Sequence, residues 1–528
     1  MKKTVFYLLT LIATFSTFSC KEEVLDIKNE NSYSDESYFK EQPQFNEAVI
    51  ATYATLLQNG MYARDWYFTF DLMGNDAERA DALLGDLQQM SEFTFGTAQP
   101  QMSQAWLTLY RMVFRANVVL DKVGLWNPTT EADKSFKAQY IAEAKFLRGL
   151  AYFNIVSLWG RAPLKKTLKD SQNFYDKRAS KEEIWALVEA DFKDASAVLP
   201  IKYDASQLGR ATKGAAVAML GKAYLYQKKY AEADAQFTAL TAGNYTYKLN
   251  SSYENQFSAK NSGSAESIFD IPHRWFGWGT NGANAFYMFG GQEAWGGQTT
   301  HTGRFQEYGF NDWNNVFVSD ALVGAYTYND ESGKKYIDPR AKMVVYGDEK
   351  SGADTDFCNN CADGVKKYPF ASAGYKWKKY CSYEDVEKSD IPTSEINSQV
   401  IRYADVLLML AEAKIFQNRP ADALPLINQV RKRVGAFEYK TLGTQDNAVK
   451  VLQKERQLEL AGEQVRYFDL IRWGNYITTI NPEKNAVIFK YPTLKQNPAQ
   501  PRHVLWPIPQ SEKDSNPAVS SDVANGWN

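Results

Sequence analysis

The chain has 528 residues, enough to bury a large core, and its formal net charge of −2 gives no electrostatic basis for binding nucleic acid or an acidic membrane surface. Only 3 histidines are present, widely spread at His273, His301 and His503, which argues against histidine-ligated metals and Ser-His-Asp catalysis. Aromatic residues make up 14% of the chain, more than a core of this size usually needs, and this excess indicates that some rings lie at a binding surface.

The N-terminus has the pattern of an export signal. Lys2 and Lys3 supply positive charge, residues 5–18 form a short apolar run, and Cys20 follows where a signal peptidase would cut. The run is too short to span a membrane comfortably. We therefore predict a signal peptide over residues 1–19 and a lipoprotein acylated at Cys20, with a plain secretory signal as the alternative.

Helical periodicity follows over residues 45–57, 102–123, 134–158, 181–199 and 449–476. Residues 60–95 lack a single apolar stripe and are predicted to be irregular. This irregular segment places aromatic rings close to polar side chains, and we regard three of its residues as secondary candidates for ligand contact. They are Trp66, Asn75 and Asp76.

Two helical pairs share a pattern with a period of about 34 residues that is typical of tetratricopeptide repeats. The pattern residues are Leu220, Gly221, Tyr224, Ala233 and Phe237 in the first pair, and Leu410, Ala411, Ala423 and Ile427 in the second. Pro420 is well placed to start the second helix of its pair. A hairpin of this kind cannot bury its apolar face alone, so two matching copies favour a helical-repeat scaffold over ordinary amphipathic helices.

Helical periodicity fades between residues 245 and 398, where glycine, asparagine, serine and aromatic residues dominate. An indole or phenol ring can cover the apolar face of a sugar while amide and charged groups bond its hydroxyls. The ring candidates are Trp275, Trp278, Tyr287, Trp295 and Trp313. The polar candidates are Asn281, Asn284, Gln292, Gln298 and Arg304. The alternative is that many of these rings form the insertion's own small core.

Two further patterns have structural explanations. A glutamate recurs every four residues at Glu455, Glu459 and Glu463. Glycosidases use paired carboxylates for catalysis, so a catalytic role is one explanation. An ion-pair network with the arginines of the same predicted helix, Arg456, Arg466 and Arg472, is favoured. In an oxidising setting, Cys358, Cys361 and Cys381 favour a disulfide over zinc, with Cys358–Cys361 and Cys361–Cys381 both open. No metal or cofactor is predicted, although the acidic loop at residues 354–356 leaves structural calcium open.

Several segments together resemble the SusD/RagB family of surface nutrient-binding lipoproteins. They are RYADVLLM with AEA at residues 402–413, ER, EL and RYFDLIRWG within residues 455–474, AKFLR with AYF within residues 144–153, and LWPIP at residues 505–509. These segments are specific as a set, and with the lipoprotein signal they cover nearly the whole chain.

The resemblance implies a mainly α fold, in which a tetratricopeptide-like scaffold over residues 40–244 and 399–480 carries a loop-rich ligand insertion over residues 245–398, followed by an extended tail over residues 481–528. It also implies a single domain over residues 20–528, attached to the outer face of the outer membrane and partnered with a SusC-like TonB-dependent transporter. We therefore expect a non-enzymatic protein that captures oligosaccharide. The alternatives are a peptide or glycoprotein-fragment cargo, an α-helical glycoside hydrolase, and a scaffold that binds only protein.

Overall fold

Helices make up most of the structure, a computed structural model that describes residues 38–58, 60–79, 85–258, 263–273, 304–310, 314–357, 363–380, 396–484, 497–520 and 526–527. The described residues from 45 onward belong to one compact unit, and residues 38–44 belong to a separate unit before it. Within these ranges, no helix is long and apolar enough to cross a lipid bilayer. The predicted signal peptide and Cys20 lie outside the described residues.

The helices before the insertion are α1 (Gln42–Tyr53), α2 (Arg64–Met73), α3 (Gly85–Ser91), α4 (Pro100–Leu125), α5 (Glu131–Trp159), α6 (Leu168–Ser171), α7 (Lys181–Val198), α8 (Lys213–Tyr226) and α9 (Tyr230–Thr241). Side-chain caps fix several starts, since Thr130, Ser180 and Thr212 each accept a hydrogen bond from the backbone N–H three residues later. The predicted long helices therefore occur, with ends shifted by a few residues.

The prediction of an irregular segment over residues 60–95 is wrong, because it contains α2 and α3. Every residue from Trp66 to Met73 in α2 is buried. The buried residues include the polar Thr69 and Asp71, so burial in this helix is not confined to the apolar positions from which a surface helix is recognised.

The predicted repeat pairs are confirmed as α8–α9 and as α14 (Tyr403–Phe416) with α15 (Pro420–Arg433). The pairs pack side by side, with the rings of Tyr230 and Phe416 stacked at 4.8 Å. Gly221 explains one pattern position, because a Cβ there would lie 2.7 Å from the Phe237 ring. The scaffold is thus a tetratricopeptide-like array.

The remaining helices are α10 (Arg304–Tyr308), α11 (Asp320–Ala325), α12 (Arg340–Val344), α13 (Phe370–Ala373), α16 (Gln445–Glu459), α17 (Arg466–Trp473), α18 (Tyr476–Lys484), α19 (Gln510–Ser515) and α20 (Pro517–Ser520). A continuous helix over residues 449–476 was predicted, and this is wrong. The chain leaves helical geometry after α16, where Gly462 has a left-handed φ of 68°, and α17 starts a new direction.

Short antiparallel strand pairs complete the described part of the fold. The strands are β1 (Ala77–Arg79), β2 (Ala162–Pro163), β3 (Arg178–Ala179), β4 (Ser267–Ile271), β5 (Val316–Val318), β6 (Thr327–Asn329), β7 (Lys335–Ile337), β8 (Val345–Tyr346), β9 (Asp356–Phe357), β10 (Lys366–Lys367), β11 (Lys376–Trp377) and β12 (Ser398–Arg402). They pair as β1–β5, β2–β3, β4–β12, β6–β7, β8–β11 and β9–β10.

The β4–β12 pair closes the base of the insertion. Ile271 lies opposite Ser398, and Ser267 lies opposite Arg402, directly before α14. A second pair joins the insertion to the N-terminal half, because β5 pairs with β1 just after α2. The described part of the insertion is therefore held against the helical scaffold at two separate points.

The C-terminal tail also packs into the core. Trp506 stacks on Phe70 of α2 at 5.4 Å with an interplanar angle of 6°. The backbone N–H of Trp506 donates to the Leu158 carbonyl oxygen at 2.7 Å, and Trp159 Nε1 donates to the Pro507 carbonyl oxygen at 2.8 Å. These contacts connect α2, the end of α5 and the tail.

Candidate functional site

Arg304, a sequence-predicted ligand contact, lies in a buried polar cluster between the insertion and the scaffold. Its Nη2 donates to Asp71 Oδ2 at 2.7 Å and to the Gly462 carbonyl oxygen at 2.6 Å. The guanidinium also lies over the Tyr380 ring, 3.7 Å from its centroid, and only 6% of the residue is exposed. These internal partners favour a structural role, in which Arg304 joins the insertion to the scaffold, over direct contact with a ligand.

Asn75 and Asp76, also predicted from sequence, follow α2 and are buried. Asn75 Nδ2 donates to Glu483 Oε2 at 3.1 Å, and the backbone N–H of Gly462 donates to Asp76 Oδ2 at 3.0 Å. Burial raises the pKa of Asp76 to about 7, because the charged carboxylate is poorly solvated.

This pKa predicts a pH dependence of stability that can be assigned to Asp76. Since an aspartate in the unfolded chain titrates near pH ~3.9, the folded state binds the proton more tightly, and the stabilisation present below that pH is lost as the pH rises through about 7. Asp76→Asn should remove this loss. Relative to wild type, its free energy of unfolding should rise by up to about 4 kcal/mol between pH ~4 and pH ~8. Urea unfolding across that range measures it. If the free energies of unfolding of wild type and Asp76→Asn change with pH in parallel, the assignment to Asp76 is wrong. Asp363→Asn, at an exposed position, is the control.

Trp66, another predicted ligand contact, lies beside open space. It lines a cavity, here called the aromatic hollow, that takes rings from α2, α5, α8 and α17. The rings are Tyr62, Trp66, Phe153, Tyr226 and Phe468, and the amide side chains are Asn154, Gln399 and Gln464. A surface of rings with a few amides has the chemistry expected of a sugar contact.

The rings of the aromatic hollow are held by one another and by a hydrogen bond. The Trp66 ring centroid lies 5.1 Å from that of Tyr62 and 6.4 Å from that of Phe468. Asn154 Nδ2 donates to the Tyr62 hydroxyl at 3.2 Å. Trp66 itself is only 4% exposed, whereas Tyr62 and Tyr226 are half-buried and form the accessible part of the lining.

The size of the aromatic hollow limits what can enter it. Its volume is about 40 Å³, little more than the ~30 Å³ that one water molecule occupies in the liquid. The aromatic hollow is therefore too small to enclose a whole sugar ring.

The other sequence-predicted ligand residues lie outside the described residues. They are Trp275, Trp278, Tyr287, Trp295, Trp313, Asn281, Asn284, Gln292 and Gln298. The disulfide candidates Cys358, Cys361 and Cys381 also lie outside the described residues. The sequence did not indicate Phe153, Tyr226 and Phe468 as lining residues, because each belongs to a helix that was predicted to be part of the scaffold. Only the tertiary packing of α5, α8 and α17 brings these rings to one place.

The three glutamates of α16 and its C-terminal turn lie in a buried ion-pair network, as the sequence predicted. Glu455, Glu459 and Glu463 are each at most 7% exposed. Their cationic partners are Arg340, Arg402, Arg431, Arg433 and Lys379. Burial alone would raise the pKa of Glu459, but the neighbouring arginines lower it to about 2. A glycosidase acid needs a raised pKa, so this carboxylate does not fit that role.

The predicted partners of these glutamates are wrong. Because the chain turns at Gly462, Arg466 and Arg472 belong to α17 and not to the glutamate helix. The pairs are Arg456 with Asp405 and Asp469, Arg466 with Glu483, and Arg472 with Glu412 and Asp469.

The acidic loop considered for calcium contains two paired carboxylates. Asp354 contacts Lys378 Nζ at 2.8 Å, and Asp356 contacts Lys367. In the part of the chain that the structure describes, no cluster of three or more His, Cys, Asp or Glu side chains is arranged to hold a metal ion.

Comparison with known proteins identifies the family. One family model, described as the SusD family, matches residues 265–527, and another, described as starch-binding associating with outer membrane, matches residues 23–225. SusD-like protein P25 of Formosa agariphila is 27% identical, with 97% of each chain covered. Starch-binding protein SusD of Bacteroides thetaiotaomicron is 23% identical, covering 83% of this chain and 81% of its own.

Solved structures agree with the sequence comparisons. A SusD superfamily protein from Bacteroides vulgatus superposes with a TM-score of 0.73 at 25% identity, covering 91% of this chain and 98% of the other. A laminarin binding SusD-like protein superposes with a TM-score of 0.67 at 24% identity, covering 90% and 97%. With two family models that together span most of the chain and a shared fold, the protein belongs to the SusD/RagB family.

Proposed function

We propose that this protein is a glycan-binding lipoprotein that captures an oligosaccharide at the cell surface and passes it to a SusC-like TonB-dependent transporter in the outer membrane. Lipidation at Cys20, the outward orientation and the transporter are parts of this proposal. Family membership supports it, and so do relatives whose names record binding of starch and laminarin.

The observation that carries the proposal is the aromatic hollow. Sugar recognition needs a flat apolar surface for the ring and hydrogen-bonding groups for its hydroxyls. The half-buried Tyr62 and Tyr226 supply the first. Gln464 Nε2 donates to Asp71 and to the Gly462 carbonyl oxygen, so the amide oxygen of Gln464 is the group that can accept from a sugar hydroxyl. The aromatic residues Trp275, Trp278 and Trp295 are further candidates for ligand contact on the grounds of sequence.

The proposal predicts that removing one ring weakens glycan binding by about tenfold, equivalent to about 1.4 kcal/mol. Tyr226→Ala tests the aromatic hollow, and the triple alanine variant of Trp275, Trp278 and Trp295 tests the insertion. The measurement is isothermal titration calorimetry with oligosaccharides from starch, laminarin and other plant and algal glycans. Phe174→Ala is the matched control, since its ring is 71% exposed and lies outside the hollow.

The outcomes separate the alternatives. Loss of affinity only in the triple variant would place the contact in the insertion, and loss only in Tyr226→Ala would place it at the aromatic hollow. Clear binding of peptides without binding of any glycan would contradict the carbohydrate proposal and favour a peptide cargo. Release of reducing sugar during incubation would favour a hydrolase.

A further inference from the structure

A lysine in the lining of the aromatic hollow has hydrogen-bond donors that the protein does not use. Lys222 lines the hollow and is only 7% exposed. Its Nζ lies 3.5 Å from Asp405 Oδ2, which is an ion pair but is beyond the usual range of an N–H···O hydrogen bond. Within the described part of the chain, no group accepts a hydrogen bond from this Nζ. An ammonium carries three N–H donors, so donors remain for a group that enters the hollow.

The spacing of residues on α8 places this lysine at the hollow. Met219, Lys222 and Tyr226 are three and four residues apart, so they share one face of the helix, and all three line the hollow. The Tyr226 ring packs on that of Phe153 in α5, with 4.9 Å between the ring centroids. Unlike sealed atoms such as Asp76 Oδ1, Lys222 Nζ is open to a water-sized probe. A ligand atom of similar size can therefore reach it.

The carboxylates near this ammonium are already neutralised. Asp405 accepts from Arg456 Nη1 at 2.8 Å and does not line the hollow. Glu463 does line it, but Lys379 Nζ at 2.8 Å and Arg402 Nε and Nη2 at 2.7 Å each donate to its two oxygens. An anionic group in the hollow would therefore meet one ammonium with unused donors, and no carboxylate without a cation bound to it.

Two phenols in the lining can donate to the same group. In the described part of the chain, neither the Tyr62 hydroxyl nor the Tyr226 hydroxyl donates a hydrogen bond. Burial raises the pKa of both phenols, so they keep their protons at neutral pH. A carboxylate has two oxygens that only accept, and it can bond the Lys222 ammonium and a phenol together.

The size of the hollow favours a carboxylate over a sulfate ester. With a volume of about 40 Å³, the hollow admits a small substituent and not a sugar ring. A carboxylate is planar and has two oxygens, whereas a sulfate ester is tetrahedral and has three free oxygens. The smaller, planar group suits this space, and the ring that carries it would stay outside the hollow.

We infer that Lys222 makes the aromatic hollow selective for acidic glycans, by binding the carboxylate of a uronic acid unit. The inference rests on the proposed function, because it requires that the glycan reaches the hollow. It adds the class of sugar and the side chain that recognises its charge. A neutral sugar offers the ammonium only uncharged acceptors, and hydrogen bonds to these are weaker than those to a carboxylate.

The test is isothermal titration calorimetry with trimers of galacturonic, glucuronic and mannuronic acid, each compared with its neutral methyl ester. Wild type should bind at least one acid about tenfold more tightly than the ester of the same trimer. Lys222→Met should give the acid and the ester equal affinities, and the affinity for the ester should not change. Asp405 keeps its hydrogen bond to Arg456 in this variant, so we expect the fold to be retained, which circular dichroism checks.

Tyr226→Phe gives a second measurement that removes no charge. It should weaken binding of the acid about threefold, because it removes one hydroxyl donor and keeps the ring. Lys229→Met is the matched control, since Lys229 pairs with Glu189 at 2.6 Å and does not line the hollow. It changes the net charge as much as Lys222→Met and should leave the affinities for the acid and the ester unchanged.

Three results would overturn the inference. They are equal binding of every acid and its ester by wild type, a preference for the acid that persists in Lys222→Met, and tighter binding of sulfated galactose oligosaccharides than of any uronic acid trimer. Binding of neutral glycans without binding of acidic ones would contradict this inference and leave the proposed function intact. If peptides bind and no glycan does, the proposed function fails, and this inference fails with it.

Discussion

Arg402→Met should lower the free energy of unfolding by about 3–5 kcal/mol, the range measured when one partner of a buried ion pair is removed. Arg402 is 1% exposed and donates to Glu266, Glu459 and Glu463 at 2.7 Å each. Without the guanidinium, these buried carboxylates would repel one another in a poorly solvated interior. Urea unfolding followed by circular dichroism measures the change.

Arg419→Met is the matched control for this experiment. Arg419 also pairs with a carboxylate, Asp234, but its side chain is 41% exposed, so the loss should stay below about 1 kcal/mol. The double variant Arg402→Met with Glu463→Gln should recover part of the stability, because it also removes one carboxylate from the buried cluster, which leaves Lys379 as the remaining cation beside position 463. Equal losses in Arg402→Met and Arg419→Met would show that the network is not needed for stability.

Gly462→Ala should lower the free energy of unfolding by about 3 kcal/mol. Its φ of 68° lies in the left-handed region, which costs about 1–2 kcal/mol for a residue with a Cβ. The new Cβ would also lie 2.7 Å from the ring of Trp377, which is fully buried and has little room to move. Such overpacking adds about 1–3 kcal/mol.

Gly474→Ala separates these two effects. Gly474 has a similar φ of 76°, but a Cβ there would meet nothing within 4 Å. We expect Gly474→Ala to lose only the backbone contribution, about 1–2 kcal/mol, in the same thermal or urea unfolding measurement. If the two variants lose the same stability, the close approach of Gly462 to Trp377 has no energetic consequence.

The helical scaffold could be predicted from the sequence where helices are amphipathic and capped. Gly221 and Pro420 marked the repeats correctly, because a close approach and a helix start each require a particular residue type. The helix α2 was not predicted, since it is short and its buried residues include the polar Thr69 and Asp71 as well as apolar side chains. The left-handed Gly462 likewise ended the glutamate helix early and changed which arginines reach it.

The candidate site was predictable only in part. Trp66 was singled out from a stretch of mixed aromatic and polar residues, and it does line the aromatic hollow. Asp76 was singled out on the same grounds, yet it lines a different cavity, between α16, α17 and α18. The aromatic hollow is made where helices distant in the sequence meet, so no local pattern in any one helix predicts it.

The β4–β12 pair has a consequence for how relatives can diverge. Since the insertion leaves and re-enters the scaffold through two adjacent strands, exchanging the chain between them changes loop length without moving the ends, and loop-closure entropy rises only slowly with length. A grafted segment would still need an arginine opposite Asp71 and a strand to lie beside β1. The chain between the two strands can therefore be exchanged as a unit, provided that the new segment supplies the arginine and the strand.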